Sequence, residues 1–586
     1  MVVKIGVEDG SVMEATLLKR TTKISGKYPN NFDVKNNDSS EIVKDVNFDA
    51  IEWHMKEDDI LVEEVCQVEE DEVHDVYATL IEKERHGEKA VIEAKKKELA
   101  SIKSYGTYEE VWSSEVPDED KDKIITTTWN VVQKDDLRIK ARVCVRGFQE
   151  KADNRRDSPT ASKISQRLFI SMAIGKGWKV HSLDVSAAFL QGDLIDRTVY
   201  VIPPREFTPT RQARPDAILW KLIRPLYGLT DASRKWYCRM DKELTKLGGT
   251  RSVYDHAVYN FWKDGQLIGE VLLHVDDLLY GGSDFFHRKV MDAFTNMFTV
   301  GSKEDTDFVY VGWHLKQSNQ GITVSQDNYT KKVDNPDMDK YRSRDGEDVL
   351  DEEEQSHFRK LVGSINWLAM NTRPDLCFDA MEMACNFGKA KVKDIKRAGR
   401  ILKKSGERSM DIQFRNLGSS KETVIMVCAD GSYGKLNKVD SCGGKLIALV
   451  GEGGNMCPIT WGCRKFPRPA RSALAAEAQA AADAMGEGEV IRLQWEEMSG
   501  MDKGTARLVL VTDSKSLQEA CQTDNQLKDK RTAIDMAVLR RSVEMEIYSI
   551  MWRPGKTQLA DPLTKQGACS DRLRHALTTG QVSIAF

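Results

Sequence analysis

Hydrophobic and polar positions follow different patterns along the chain and divide it into four parts. Residues 1–85 show little periodicity and become strongly acidic, so we predict a partly disordered leader there. Residues 86–410 mix helical runs with short β-branched runs, which predicts an α+β unit. Residues 420–570 predict an α/β domain with a mixed sheet, and residues 571–586 a C-terminal tail.

The α+β unit begins with a predicted helix and a predicted hairpin. Lys, Glu, Ala and Leu dominate between Glu82 and Glu110, a composition typical of helices. The runs TTTWNVV and IKARVCVRGF then flank the polar KDDLR, which predicts a β-hairpin. Further strands are predicted at WKVHSLDV, QLIGEVLLHV and GITVS, a loop at residues 330–355, and helices from Glu353 to Lys404.

The second unit alternates strands and helices more clearly. The predicted strands TVIMVCAD, GGKLIALV and PITWGCRK precede a helix that begins near SALAAEAQ. The predicted strands ARLVLVTD and EMEIYSIMWRPG follow that helix. This order predicts a domain separate from the first unit.

The composition excludes several classes of protein. Hydrophobic residues make up 40% and charged residues 30%, as in globular proteins. No apolar run approaches the ~18–20 residues of a membrane helix, and the N-terminus lacks a secretory signal, so we predict a cytoplasmic or nuclear location and no membrane partner. The eleven cysteines include no C-x-x-C pair, which argues against a zinc knuckle or a redox motif.

The net charge of −5 is unevenly distributed. Residues 41–75 contain fourteen acidic residues and two lysines, a net charge of −12, which leaves +7 on the rest of the chain. A basic body is compatible with a groove that binds nucleic-acid phosphates. The acidic run itself is typical of a solvated linker.

Three acids in the first unit suggest metal chemistry. Asp184 ends the predicted strand WKVHSLDV, and Asp276 and Asp277 lie between two hydrophobic strands in GEVLLHVDDLLYGG. Adjacent carboxylates in a half-buried turn repel each other, and a divalent cation would remove that cost. Most Asp-Asp pairs are surface turns, but the strand on each side of this pair favours a metal site.

The first unit resembles the reverse transcriptases of copia-type retrotransposons over about residues 90–400. The motifs that carry the resemblance are KARVCVRGFQE, SPTASKISQRLFISMAIGKGWKVHSLDVSAAFLQGD, LYGLTDASRKWY and HVDD. The later segments YVGWHLKQSNQGITVSQDNYTKKV and FRKLVGSINWLAMNTRPDLCFDAM are also similar to that family. The resemblance implies a right-hand polymerase fold with fingers, palm and thumb.

The resemblance also implies roles for individual residues. Asp184, Asp276 and Asp277 would bind two Mg²⁺ ions, with Mn²⁺ as an alternative. Phe189 would either exclude a ribose 2′-hydroxyl or be a core aromatic residue. Lys140 and Arg142 would contact the incoming deoxynucleoside triphosphate, or be ordinary surface charges, and Gly228 would approach the templating base. The sequence departs from the family pattern at His274 and at the residues 230–233.

Four further acids lie in the second unit, and their order predicts a second metal site. Asp430, Asp513 and Asp561 end or follow predicted strands, and Glu477 lies on the long helix. Such residues can converge on one edge of a mixed sheet and hold two Mg²⁺ ions for phosphodiester hydrolysis. Asp513 could alternatively serve in capping the helix that follows it.

The second unit resembles the ribonuclease H domain that follows copia-type polymerases, over about residues 420–566. The segment ADPLTK, Ala560 to Lys565, is the specific sign, whereas ADGSYG and SALAAEAQA depart from the family pattern around Asp430 and Glu477. The resemblance implies that the four acids are the metal ligands. A basic cluster of Arg464, Lys465 and Arg468 would contact the phosphates of the hybrid or keep a loop soluble.

Together these patterns predict an RNA-directed DNA polymerase with ribonuclease H activity. Its expected partners are an RNA template, a DNA primer, an RNA–DNA hybrid and deoxynucleoside triphosphates. The alternative is a decayed or domesticated copy that binds nucleic acid without catalysis. Because no protease turn or histidine–cysteine zinc module is evident, we expect the sequence to be the C-terminal part of a polyprotein, a processed product or a separate gene fragment.

Overall fold

The computed structural model describes residues 87–584 apart from a few short loops, and before them the backbone of five strands. The chain divides into two compact units, Met1–Val91 and Ile92–Phe586. The five strands of the first unit form one antiparallel sheet, and the acidic run lies mostly outside the described residues. The leader and the domain boundaries therefore stay predictions. The loops that are not described are 134–136, 151–153, 212–215, 334–337, 408–409, 437–439, 524–526 and 528.

Strands are numbered here in chain order through both units. They are β1 Val2–Gly6, β2 Val12–Arg20, β3 Asn31–Asn36, β4 Ile42–Asn47, β5 Ile51–Glu52, β6 Tyr108–Trp112, β7 Ile124–Ile125, β8 Thr127–Gln133, β9 Ile139–Val145, β10 Val180–Val185, β11 Tyr200–Val201, β12 Ile218–Leu222, β13 Gly249–Arg251, β14 Val258–Lys263, β15 Gln266–His274, β16 Asp277–Gly282, β17 Val300–Asp305, β18 Asp307–Tyr310, β19 Trp313–Ser318, β20 Gly321–Ser325, β21 Ile412–Phe414, β22 Val424–Leu436, β23 Asp440–Val450, β24 Met456–Lys465, β25 Arg507–Thr512 and β26 Ser549–Trp552.

The helices begin just after the first unit's strands. They are α1 Glu88–Ser104, α2 Lys163–Lys176, α3 Ala232–Lys246, α4 Asp284–Phe286, α5 Asp292–Met297, α6 Asp327–Lys332, α7 Asp339–Arg342, α8 Glu352–Asn371, α9 Cys377–Ala384, α10 Val392–Glu407, α11 Ala473–Ser499, α12 Lys515–Cys521, α13 Lys530–Glu544 and α14 Asp571–Thr579. A π-helical turn, His287–Met291, joins α4 to α5. Among the described residues, no helix has the length and apolarity needed to cross a membrane.

A six-stranded antiparallel sheet forms the palm, in the order β13-β14-β15-β16-β10-β17. Strands β14, β15 and β16 are buried over most of their length, whereas the edge strand β17 is largely exposed. Helices α2 and α3 contribute Phe169 and Trp236 to the same hydrophobic core. The side chain of Ser162 caps the first turn of α2, and Gly177, with a φ of 66°, ends that helix. The predicted strands WKVHSLDV and QLIGEVLLHV are therefore confirmed in the middle of this sheet.

The fingers contain two small sheets and helix α1. Strands β8 and β9 form the predicted hairpin, in which Thr127 pairs with Val145 and Gln133 with Ile139. The second sheet has the order β6-β12-β11-β7. Trp220, which is fully buried, lies in a core formed by residues from both sheets and from α1. Burial of such aromatic side chains supplies much of the stability of a small subdomain.

Another antiparallel sheet, in the order β18-β19-β20-β21, leads into helices α8, α9 and α10. Helix α8 begins with a capping box in which Asp351 and Glu354 each accept a hydrogen bond from the other's backbone N–H. The predicted loop at residues 330–355 contains the short helix α7. Tyr341 of α7 is fully buried, and this burial stabilises a helical turn within an otherwise polar stretch.

The second predicted domain, which is called the nuclease domain below after its predicted ribonuclease H-like fold, has a five-stranded mixed sheet in the order β24-β23-β22-β25-β26. Strands β23 and β24 continue antiparallel from β22, whereas β25 and β26 run parallel to it. The long helix α11 contributes Ala478, Ala481 and Ala484 to the core beneath the sheet. The predicted α/β domain with a mixed sheet, following an α+β polymerase-like unit, is confirmed.

A buried arginine joins the palm to the nuclease domain. Arg167 of α2 donates hydrogen bonds to Ile459 O of β24 at 2.9 Å and to Met370 O and Asn371 O at the end of α8, both at 3.0 Å. Its guanidinium carbon lies 3.9 Å from the ring centroid of Trp461. Since a buried cation needs such partners, these contacts hold the three elements in one arrangement.

Two sequence predictions need correction. The helical composition between Glu82 and Glu110 extends past the helix itself, which ends at Ser104, close to its predicted end at Gly106. Tyr108–Trp112 instead forms β6, which pairs with β12 more than a hundred residues later. The predicted tail, residues 571–586, contains helix α14, because Leu573 and Leu577 lie one turn apart and are both fully buried. In both segments tertiary contacts decide the structure.

Candidate active sites

The palm brings the three predicted acids together at one hairpin. Strands β15 and β16 pair His274 with Asp277, so Val275 and Asp276 form the turn between them. Asp184 of β10 lies directly opposite Asp277 in the antiparallel register. Burial, followed by repulsion from Asp276 and then Asp184, raises the pKa of Asp277 to about 6. The three carboxylates therefore form one electrostatic cluster.

The backbone of this turn is held from two sides. The indole N–H of Trp236 donates to Val275 O at 2.7 Å, and Val185 N donates to Asp276 O at 2.9 Å. Val275 has a φ of 60°, a conformation that β-branched residues rarely adopt. The surrounding contacts therefore impose the conformation that presents Asp276 and Asp277.

Gly301 of β17 makes room for the carboxylate of Asp184. A Cβ at Gly301 would collide with Asp184 Oδ2 and with Ser186 Oγ. His274, the residue that departs from the family pattern, has a lowered pKa because of burial and the nearby Lys163, an effect that Asp276 opposes. Its side chain is therefore a neutral imidazole at neutral pH.

The predicted nucleotide-binding residues of the fingers converge on Tyr227. The guanidinium carbon of Arg142 lies 5.0 Å from the Tyr227 ring centroid, and the ring of Phe189 lies 5.3 Å from it. Burial raises the pKa of Tyr227 to about 12, and the charge of Asp276 contributes to that shift. Arg142 and Phe189 thus share one neighbour, Tyr227, whose hydroxyl is influenced by the charge of Asp276 in the palm cluster. Lys140 is exposed on the same strand as Arg142.

The fold itself explains why residue 228 is a glycine. Its φ is 89°, and a Cβ there would collide with Val145 O of β9. Val145 N also donates to Tyr227 O at 2.7 Å. The turn after Leu226 therefore packs backbone against backbone on β9, and the approach to a templating base stays a prediction.

The residues 230–233, where the sequence departs from the family pattern, contact residues elsewhere in the chain. Arg197 forms a two-pronged ion pair with the buried Asp231, at 2.7 and 3.0 Å, and a second with Glu150, at 2.5 and 3.1 Å. Thr230 Oγ1 also donates to Glu150 Oε2 at 3.2 Å. Asp231 is therefore part of a paired, hydrogen-bonded network, which makes its burial tolerable.

The nuclease domain gathers its acids more tightly. Asp430, Asp513 and Asp561 each offer a carboxylate oxygen, and these oxygens all lie within 4.8 Å of one another. Asp430 lies in β22, Asp513 follows β25, and Asp561 begins a 3₁₀ turn. Burial raises the pKa of Asp430 to about 6, opposed by Lys565 and by the hydroxyl of Thr564. A set of hard oxygen ligands at this spacing fits Mg²⁺ or Mn²⁺.

Glu477 faces this cluster from helix α11. Burial, followed by repulsion from Asp430 and Asp513, raises the pKa of Glu477 to about 8. Its Oε2 accepts a hydrogen bond from Gly431 N at 3.2 Å. A Cβ at Gly431 would collide with the backbone of Ala476, so glycine allows the helix to approach β22 closely. All four predicted nuclease acids therefore meet at one edge of the sheet.

The ADPLTK segment supplies two further contacts to this cluster. The hydroxyl of Thr564 donates to Asp430 Oδ2, and the ammonium of Lys565 pairs with Asp561 Oδ1 and lies 3.8 Å from Asp430 Oδ2. The sequence had indicated this segment as a family sign without giving these two residues a role. Tyr227, in LYGL, was missed in the same way, because a motif shows membership and not contacts.

The predicted phosphate contacts of the basic cluster are already paired with acids. Arg464 pairs with Asp483, Lys465 with Asp440 at 2.5 Å, and Arg468 with Asp535 at 2.5 Å. The pairs of Arg464 and Lys465 are partly exposed and contribute little stability, whereas Asp535, the partner of Arg468, is mostly buried. Contact with nucleic acid stays a prediction for them.

Comparison with known proteins agrees with this geometry. Residues 109–340, which include the palm acids, match the family described as reverse transcriptase (RNA-dependent DNA polymerase). This match and the similarity to transposon polyproteins support the predicted copia-type reverse transcriptase portion. It is 28% identical over 454 residues to the retrovirus-related Pol polyprotein from transposon RE2 of Arabidopsis thaliana, which covers 73% of this chain and 30% of that protein.

Similarity to transposon polyproteins extends beyond Arabidopsis. The chain is 32% identical over 210 residues to the Pol polyprotein from transposon TNT 1-94 of Nicotiana tabacum, which covers 34% of this chain and 15% of that protein. A solved foamy viral protease-reverse transcriptase in complex with RNA/DNA hybrid aligns with 11% identity and a TM-score of 0.40, covering 76% of this chain and 52% of that one. The chain thus spans about 30% of the length of the Arabidopsis relative.

Proposed function

We propose that the chain is an RNA-directed DNA polymerase with ribonuclease H activity, acting in a retroelement particle in the cytoplasm or in the nucleus. The observation that carries the proposal is the presence of two separate carboxylate clusters within one compact unit. One lies at the β15–β16 turn of a reverse transcriptase domain, and the other at the edge of the nuclease sheet. Each is a site for two Mg²⁺ or Mn²⁺ ions, which would polarise phosphate oxygens and activate the attacking hydroxyl or water.

In the palm, the chain's own residues supply charge and position. Asp184, Asp276 and Asp277 provide the oxygen ligands, and the contacts of Trp236 and Val185 fix the turn on which two of these acids lie. Arg142 is placed to bind the negative triphosphate of a deoxynucleotide. Phe189, packed against Tyr227, borders the space for the sugar and would disfavour a 2′-hydroxyl.

In the nuclease domain, Asp430, Glu477, Asp513 and Asp561 would hold the metal ions, which would supply the positive charge that a phosphodiester needs near these acids. Gly431 N–H fixes the carboxylate of Glu477. Burial excludes competing ligands and strengthens each electrostatic contact. The substrate would be the RNA strand of the RNA–DNA hybrid that the polymerase makes from an RNA template and a DNA primer.

Two assays with two variants test this proposal. Primer extension on an RNA template and cleavage of labelled RNA in a preformed hybrid are measured with Mg²⁺ for the wild type, Asp276→Asn and Asp513→Asn. We expect Asp276→Asn to lose extension and keep cleavage, and Asp513→Asn to do the reverse, each by roughly a thousandfold, because a ligand contributes several kcal/mol of transition-state stabilisation.

The other outcomes separate the alternatives. Cleavage by the wild type without extension would contradict the polymerase assignment. Binding of the hybrid with neither activity would favour a decayed copy that only binds nucleic acid. Chelation of divalent cations should abolish both activities, and activity that persists in the chelator would contradict the metal mechanism.

A further inference from the structure

Lys565 lies inside the nuclease cluster and not at its rim. Its ammonium pairs with Asp561 Oδ1 and lies 3.8 Å from Asp430 Oδ2. The hydroxyl of Thr564 donates to the same Oδ2 oxygen of Asp430. Two of the three acids whose oxygens lie within 4.8 Å of one another are thus already in contact with a cation that belongs to the chain.

An ammonium and a divalent cation cannot use these oxygens together. Mg²⁺ binds carboxylate oxygens at about 2.0–2.1 Å and requires near-octahedral geometry around it. A positive charge a few ångströms away in a half-buried site would repel the metal ion strongly. Binding of Mg²⁺ between Asp430 and Asp561 therefore requires that the ammonium move away.

The side chain of Lys565 is flexible and exposed enough to make such a movement. The residue follows the 3₁₀ turn Asp561–Leu563, and the backbone beside it is fixed by the fully buried Thr564. The lysine side chain itself is 32% exposed, so its flexible four-carbon stem can carry the ammonium toward solvent. The acids remain in place while the cation leaves.

We propose that Lys565 is the resident counter-ion of the nuclease site. Its ammonium neutralises Asp430 and Asp561 when no metal is bound, competes with divalent cations for their oxygens, and so sets the concentration of Mg²⁺ that the nuclease requires. This inference rests on the proposed function in one respect, because it takes these acids to be the metal ligands.

Calorimetric titration with Mg²⁺ alone tests the competition directly. The full chain carries Asp276→Asn and Asp277→Asn, so that the palm does not contribute, and no nucleic acid is added. We expect Lys565→Met and Lys565→Ala to bind Mg²⁺ at least about tenfold more tightly than this parent chain, since a competing charge has been removed. Lys565→Arg should stay within about threefold of it.

A matched control separates competition from a general change of charge. Lys556→Met removes the same charge from an exposed lysine on a neighbouring turn, and it should leave Mg²⁺ affinity nearly unchanged. In a chelator, Lys565→Met should also have a lower Tm than the parent chain, because the acids lose their counter-ion, and Mg²⁺ should raise its Tm by a larger amount.

The outcomes distinguish this inference from the proposed function. If Asp513→Asn abolishes Mg²⁺ binding but the two Lys565 variants bind with the parent affinity, the counter-ion role is wrong and the metal site stands. If Lys556→Met tightens binding as much as Lys565→Met, the effect is long-range and the inference is also wrong. Failure of the proposed function would appear independently, as an absence of hybrid cleavage by the wild type at every Mg²⁺ concentration.

Discussion

The palm cluster and the nuclease cluster solve the same electrostatic problem with different structures. The palm places Asp276 and Asp277 on one hairpin turn, and backbone contacts to Trp236 and Val185 hold that turn. The nuclease domain collects four acids from separate segments, buries Asp430 while the other three stay half-buried, and places Lys565 beside two of them. The palm site therefore depends mainly on local backbone geometry, and the nuclease site on the packing of distant segments.

The largest predicted effect uses the close packing of helix α11 on β22. Gly431→Ala should reduce hybrid cleavage by about a hundredfold or more, because its Cβ would push Ala476 and Glu477 away from the cluster. Primer extension should stay within about twofold of the wild type. Cleavage and extension assays on the same preparation measure both effects.

Gly462→Ala is the matched control for that change. Gly462 lies on β24 of the same sheet, and a Cβ there would meet no atom within 4 Å. Its cleavage activity should equal that of the wild type. Equal losses in the two glycine variants would show that the domain is merely sensitive to substitution.

The second prediction uses the different pKa values of the two clusters. Burial raises the pKa of Glu477 to about 8, whereas that of Asp277 is raised to about 6. A carboxyl with a raised pKa is protonated below that value and cannot bind Mg²⁺, so lowering the pH should inhibit the nuclease first. At limiting Mg²⁺, the ratio of cleavage to extension should fall roughly tenfold between pH 8 and pH 6.

Saturating Mg²⁺ provides the control for that pH profile. Metal ions compete with protons for the same carboxylates, so both acid limbs should move to lower pH as the Mg²⁺ concentration rises. Two activities that fall together at every Mg²⁺ concentration would contradict the proposed difference in burial.

A pair of tryptophans allows a more local comparison. Trp236 donates its indole N–H to Val275 O in the palm, and Trp552 donates to Asp513 O at 2.9 Å in the nuclease domain. Trp236→Phe should reduce extension about fivefold and spare cleavage, because an unpaired carbonyl costs about 1 kcal/mol of positioning. Trp552→Phe should show the opposite selectivity. Steady-state rates of both activities are measured for both variants. A variant that loses both activities equally would contradict the claim that each tryptophan supports only the cluster that it contacts.

The smallest predicted effect concerns stability and not activity. Glu270 of β15 is fully buried, and among the described residues neither of its carboxylate oxygens has a hydrogen-bond partner. Burial raises its pKa well above the usual value. Because the folded state holds this proton more tightly than the unfolded state does, the contribution of Glu270 to stability is complete at low pH and is lost as the pH rises.

Glu270→Gln should therefore raise the Tm, by an amount that grows from pH 5 to pH 8, with both activities unchanged. The exposed Glu109, changed to Gln, should leave the pH profile of the Tm as it is in the wild type. A variant with the same profile as the wild type would show that the buried carboxyl finds a compensating partner.

The acids themselves could be predicted from the sequence, and their surroundings could not. Asp184, Asp276 and Asp277 lie in strand patterns that are visible in the chain, and the structure pairs two of them across β10 and β16. The need for glycine at position 431 comes from its contact with Ala476, and the contact of Lys565 with Asp430 likewise joins segments more than forty residues apart. Periodicity contains no information about such contacts.

Misjudged elements have the same physical origin. The composition around Tyr108 is compatible with helix, but pairing with β12 makes that segment a strand. Helix α14 is short and mostly polar, and the burial of Leu573 and Leu577 is what stabilises it. In each case a partner distant in sequence overrides a weak local preference.

The arginine at the centre of the palm–nuclease contact has a consequence for where cleavage would occur. Arg167 donates its hydrogen bonds to carbonyl groups at the end of α8 and in β24. Moving the two domains apart would therefore leave a desolvated guanidinium and three carbonyl groups without hydrogen-bond partners. These contacts therefore favour one spacing between the palm cluster and the nuclease cluster. If a hybrid duplex bound to both clusters at once, its RNA strand would be cut at a constant number of nucleotides behind the growing DNA end.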